Sequence, residues 1–286
     1  MAYRVDGAVA FIDLLGFGGH IEKHTHEENM ARVESYAKAV EEATTLGMLP
    51  SGKGKCAESR HICLSYAIFS DTVVIYENVR PDRFQEAFTP GAAQWRAFTA
   101  ILKACSRLSF LLLKNEQPFR GCITQGTYYV HSDKQGGGVI VAGKPVIEAY
   151  EWEGKQGWIG IMVRPDTRGK ARLDAACGGP RRTENLALAL AGGEDWHIMI
   201  EKSDAVPIRK KRSCGPYAKE CHYAVVPTRK DHASPSQALE SVREARGWLL
   251  SMKRDAPEDA QDKYCATLSW YAELESNLGR TNSALP

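Results

Sequence analysis

With 286 residues, 43% hydrophobic and 25% charged, the chain has the composition of an ordinary globular protein. A formal net charge of +2 is too small to grip a polyanion and excludes nucleic-acid binding as the main function. No run approaches the roughly 20 apolar residues of a membrane helix, and the opening MAYRVDGAVAF has no signal-peptide pattern, so a cytoplasmic protein without membrane or nucleic-acid partners is expected.

In chain order, GAVAFID (7–13) reads as a strand. His26 to Leu46 reads as an amphipathic helix with Met30, Val33, Tyr36, Ala37 and Val40 on one side. A polar loop over 51–59 precedes two β-rich runs, HICLSYAIF (61–69) and TVVIYE (72–77). Only Ser70-Asp71 separates them, which predicts a hairpin with Asp71 at its tip. Ala92 to Leu113 is a long apolar helix that Pro118 terminates, and FRGCITQGTYYV (119–130) is the next strand. Glycines 136–138 start a turn, VIVAG returns as a strand, and Pro145 to Glu153 is helical. WIGIMV (158–163) and CHYAVVP (221–227) are further strands. Beyond Pro235 two helices are predicted, 237–253 and 257–278, with caps at Ser236 and Asp255.

The order β-α-β-β-α-β followed by more strand and helix predicts an α+β, ferredoxin-like fold with additional C-terminal helices. Residues 1–230 form the main domain, and 231–286 form a helical extension packed on it or on a second copy. The eight cysteines include no CxxC pair; Cys63, Cys105 and Cys122 lie in apolar runs and read as core. The spacing of Cys214, Cys221 and His222 fits no zinc pattern, and the basic run Arg209 to Arg212 reads as a solvated loop.

The chemistry concentrates at AFIDLLGFGG (10–19). A strand ends on Asp13 and runs at once into glycines. In the predicted topology Asp13 and Asp71 converge at one end of a sheet. Two carboxylates that close are costly without a cation between them, and oxygen-only donors favour Mg²⁺ or Mn²⁺ with phosphate oxygens completing the shell. Gly16, Gly18 and Gly19 leave backbone amides free to line a phosphate.

The segments AFIDLLGFG, FSDTVVIYE, FRGCITQG and GKPVIEAYEWE, spread over about residues 7–155, resemble the class III nucleotidyl cyclases. The resemblance implies two divalent ions held by Asp13 and Asp71, with the Leu14 carbonyl as a backbone ligand. It also implies that Arg120, in RGCITQG, contacts a triphosphate; a buried strand arginine normally pairs with a carboxylate, so a structural use stays open as the alternative. Phe17 and Gly18 fall in the loop beside the nucleotide.

The sequence departs from that family's pattern as well. Its purine-reading lysine falls at Ala67 and its second purine contact at Ile140. The helix asparagine and arginine that serve the transition state fall at Ile147 and Glu151. The wording is similar to a divergent subgroup, the pyrimidine cyclases of the bacterial Pycsar anti-phage system. That implies a homodimer with sites between subunits, turning UTP into cyclic UMP, or CTP into cyclic CMP. Tyr66 on the hairpin could narrow the base site. A purine cyclase with other base contacts, a non-catalytic cyclase-homology module and an unrelated ferredoxin-like binding protein remain alternatives.

Overall fold

The computed structural model describes residues 2–46, 64–77, 90–132, 139–164, 198–200, 223–229 and 235–284. The expected loop 51–59, the glycines 136–138, the basic run 209–212, Cys63, Cys214, Cys221 and His222 lie outside them.

The first strand, β1 (Ala2–Leu14), pairs antiparallel with both of its neighbours, β3 (Thr72–Glu77) and β4 (Phe119–Ser132). The hairpin partner β2 (Leu64–Phe69) lies outside β3. The sheet therefore runs β2-β3-β1-β4, the order of a split β-α-β pair, as the α+β reading expects. Beyond β4 follow β6 (Gly160–Arg164), β8 (Tyr223–Val225) and β7 (Ile198–Ile200), while the short β5 (Val139–Gly143) folds back on β4. The β4–β6 pairing is parallel, and the helix between these strands supplies the crossover such a pair requires.

A short α1 (Phe17–Lys23) leads into α2 (His26–Leu46). Thr25 caps α2 reciprocally: the Glu28 amide donates to Thr25 Oγ1 at 3.3 Å, and the Thr25 amide donates to Glu28 Oε2 at 2.8 Å. The stripe expected along α2 is buried only over its second half. Tyr36 and Val40 enter the core with Ala39 and Ala43, whereas Met30 and Val33 are exposed. The α3 helix (Pro90–Lys114) buries Ile101, Leu102, Cys105, Leu108 and Leu112 against the sheet and α2. After it Glu116 takes a left-handed φ of 53° and Pro118 stops the chain. The α4 helix (Lys144–Gly154) crosses β1 and β4 and buries Ala149 and Trp152.

The C-terminal pair packs on the domain within the same chain. The α5 helix (Pro235–Asp255) contacts α3, and Ser106 donates to the Val226 carbonyl close to this junction. From α6 (Gln261–Ala284), Thr267 Oγ1 accepts the Ile159 amide at 2.8 Å, and Trp270 lies 5.5 Å from the Trp158 ring. The expected caps are displaced. Ser236 lies inside the first turn of α5, and Asp255 ends that helix instead of starting the next. Pro257, extended and without an amide proton, and a 3₁₀ turn at Glu258–Ala260 intervene before α6 begins.

One buried carboxyl belongs to the scaffold. Glu77 ends β3 at 6% exposure, and Tyr128 ties its backbone, accepting from the Glu77 amide and donating to the Glu77 carbonyl, each at 3.1 Å. Burial pushes its carboxyl up to about 8. The unfolded chain releases this proton near the ordinary value while the folded chain keeps it, so this group lowers stability as pH rises from about 4.5 to about 8. Urea midpoints measured between pH 5 and 8 should fall less steeply for Glu77→Gln than for the parent and should be higher at pH 8. An unchanged slope would remove this group from the pH response.

Candidate active site

Directly opposed residues on antiparallel strands share a face of the sheet. At the end of β1, Asp13 stands opposite Thr72 on β3 and opposite Arg120 on β4. The hairpin tip brings Asp71 alongside: Ser70 turns the chain at a left-handed φ of 56°, and the Leu14 amide donates to the Asp71 carbonyl at 2.9 Å. Residues 58 positions apart in sequence (71 − 13) thus meet at one strand end, as the topology anticipates.

Asp13 is half-buried. Thr72 Oγ1 donates to its Oδ1 at 3.3 Å, and Arg120 Nη2 lies 3.7 Å from its Oδ2. Burial raises its pKa and the Asp71 charge raises it further, against the pull of Arg120 and Thr72. Arg120 makes its closer contact, 2.8 Å, with Glu153 Oε1 at the end of α4. Burial likewise raises the Glu153 carboxyl; Arg120 opposes this, and Asp13 adds to it. The sequence reading of the site did not include Glu153. Its only signal there is a position two turns into a helix whose apolar face includes Ala149 and Trp152, and that does not distinguish it from a surface acid. From α2, the Tyr36 hydroxyl is buried without a hydrogen-bond partner among the described residues, and its proton is held by burial and by the charges of Asp13 and Asp71.

The glycine turn is fixed from below. Gly16 adopts a left-handed φ of 72° ahead of α1, and Phe17 sinks into the core at 7% exposure. The Leu15 amide donates to the Pro118 carbonyl at 2.8 Å, and Gln117 Nε2 donates to the carbonyls of Leu15 and Pro118. Arg32 of α2 donates to Gln117. The Phe17 ring is therefore a core anchor beneath the turn. Gly18 and Gly19 are exposed with open space where a side chain would stand. Gly121, opposite Ile12, serves differently: a Cβ there would sit 2.8 Å from the Phe11 carbonyl, so glycine permits the close approach of β1 and β4 that aligns Arg120 with Asp13.

Tyr66 falls on the wrong side. It opposes Ile75, which opposes Ala10, while Asp13, Thr72 and Phe69 share the other face. An even separation of positions would have been needed to bring it to the site. Ser65, Ala67 and Phe69 are the β2 residues on the Asp13 face, and Phe69 is 57% exposed.

The donors at Asp13 and Asp71 are all oxygens, and the Asp71 charge raises the cost of ionising Asp13, which suits a hard divalent cation. Among the described residues no group of three or more His, Cys, Asp or Glu side chains forms a cage. A cation here would draw its remaining ligands from backbone carbonyls, water or phosphate.

No family model and no curated protein matches the sequence. Solved structures do. The adenylyl cyclase CyaB from P. aeruginosa is 14% identical, with 82% of this chain and 100% of that one covered, at a TM-score of 0.45. The guanylyl cyclase Cya2 is 14% identical over 57% of this chain and 76% of that one, at 0.39. A class III adenylyl cyclase-like ATP-binding protein from Pseudomonas aeruginosa is 15% identical over 57% and 33%, at 0.40. Likeness at such identities concerns the fold alone, and TM-scores this low add nothing to the assignment of the site.

The raised carboxyl of Asp13 has a direct consequence. In cation-free protein at pH 7, Asp13→Asn removes a disfavoured charge and should raise the melting temperature by roughly 2–4 °C. A lowered melting temperature would mean that the Arg120 ion pair outweighs burial and repulsion.

Proposed function

We propose that the chain is a class III nucleotidyl cyclase of the pyrimidine-using kind, converting UTP into 3′,5′-cyclic UMP and pyrophosphate as a messenger of bacterial anti-phage defence. The observation that carries the cyclase reading is the register-fixed meeting of Asp13, Asp71 and Arg120 beside an open glycine turn. What supports a pyrimidine is the sequence: the positions that would read a purine hold Ala67 and Ile140. CTP as substrate differs by one reversed hydrogen bond at the base.

Asp13 and Asp71, with the Leu14 carbonyl, would hold two Mg²⁺ or Mn²⁺ ions, which when bound acidify the ribose 3′-hydroxyl and draw charge from the leaving oxygens. The 3′-oxygen attacks the α-phosphorus, its proton passes to solvent, and the bond to the bridging oxygen breaks as pyrophosphate departs. Arg120 and the Gly18 and Gly19 amides neutralise the polyphosphate as charge moves onto it. Asp13 and Asp71 would align the reacting groups only through the cations they hold.

A homodimer is part of this reading. Ile147 at 59% and Tyr150 at 61% exposure leave apolar surface open on α4 beside the site, and Tyr150 packs edge-on against Phe11. The helix positions Ile147 and Glu151 lack the amide and guanidinium that the resembled family uses, which is the observation favouring a non-catalytic nucleotide-binding module.

Incubation with ATP, GTP, CTP and UTP together in Mn²⁺, with products identified by mass, should yield cyclic UMP. Asp71→Ala should lower turnover by about 10³-fold or more. Nucleotide binding without any cyclic product would favour the module, and undiminished turnover in Asp71→Ala would exclude the two-cation reading. Light scattering should find a dimer in the active preparation; an active monomer would overturn the shared site.

A further inference from the structure

Arg120 faces two carboxylates, and only one of them belongs to the candidate cation pair. Its Nη2 lies 2.8 Å from Glu153 Oε1 and 3.7 Å from Asp13 Oδ2. Glu153 is 4% exposed and sits on a helix end fixed by the buried Trp152. Among the described residues neither Arg120 Nε nor Glu153 Oε1 has a hydrogen-bond partner, so the closer contact is an ion pair whose angle is not that of a hydrogen bond. A buried charge that loses its partner seeks another, and among the described residues the acids of this cluster left to Arg120 would be Asp13 and Asp71. A guanidinium drawn onto them takes the place of a cation. Glu153 itself is no ligand in a three-acid cage, since none forms among the described residues.

We propose that Glu153 is a positioning residue that anchors Arg120, keeping the guanidinium from collapsing onto Asp13 and Asp71 and leaving those carboxylates open to divalent ions. The inference rests on the two-cation reading of the site. It adds to that reading a second task for the closer of the two ion pairs: holding a positive charge near the polyphosphate while denying it the cation's place.

The test uses the full chain without nucleotide, titrated with Mn²⁺ and followed by electron paramagnetic resonance. Glu153→Gln should bind Mn²⁺ about tenfold more weakly than the parent, and Glu153→Gln with Arg120→Met should return to within about twofold of it. Parental affinity in Glu153→Gln would overturn the proposal, as would a double variant as weak as the single one, because removing the arginine should relieve the block. Melting curves accompany both variants, and Glu153→Asp, which keeps the charge, should recover most of the Mn²⁺ affinity.

A parent chain that binds no Mn²⁺ would sink the two-cation reading instead. The anchor is then read by itself, in protein labelled with ¹⁵N-arginine. The Arg120 Nε–H signal should persist in Asp13→Asn and broaden away in Glu153→Gln. The reverse pattern would make Asp13 the anchor and end the proposal.

Discussion

Backbone pairing along β1 is the constraint on which the site depends. Because β1 hydrogen-bonds antiparallel on both sides, Ala2 to Leu14 each have a defined partner on β4, and Val9 to Asp13 have one on β3 as well. A slip of one residue on either side would send Thr72 or Arg120 to the opposite face. Burial holds the register: Ala8, Ala10, Ile12 and Leu14 are fully covered by the helices, and Val5 and Val9 are buried on the other face. Hydrophobic burial along thirteen residues thus fixes where a single carboxylate stands.

What the core secures, the site spends in part. Three acids and one arginine share a small, half-dry volume, and the net effect on both Asp13 and Glu153 is to disfavour their charged forms. A scaffold selected only for stability would replace them with well-packed apolar groups. Their presence around an exposed glycine turn is the pattern of a place where folding free energy is given up to hold charge in readiness. Cys105 and Cys122, buried with their thiols pushed up by desolvation, behave in the opposite way and are inert filling.

Much of this was legible from residues alone, and the failures have definite physical causes. Hydrophobic period and turn chemistry sufficed for β1, α2, the β2–β3 hairpin and α3, and topology then implied that Asp13 and Asp71 would meet. Tyr66 was misplaced because facing depends on counting from the paired strand, which no single run of sequence reveals. The anchoring role of Phe17 was not legible because a residue between glycines looks like loop, although its ring closes the core beneath them. Met30 and Val33 follow helical period yet lie beyond the reach of the sheet. Glu153 was invisible because its meaning comes from Arg120, 33 positions earlier (153 − 120) and on another element. The cap at Ser236 missed because α5 already begins at Pro235, and the one at Asp255 because Pro257 and a 3₁₀ turn lengthened the connection.

The turn at Gly16 is pinned by a ring in the core on one side and by Gln117 on the other. Loops that fold around their ligands lose conformational freedom at the moment of capture, and that loss weakens binding. Here most of the ordering has already happened during folding. An anion arriving at the Gly18 and Gly19 amides would meet a surface already in shape, so its capture would be governed by diffusion and charge, without a slow rearrangement of the chain.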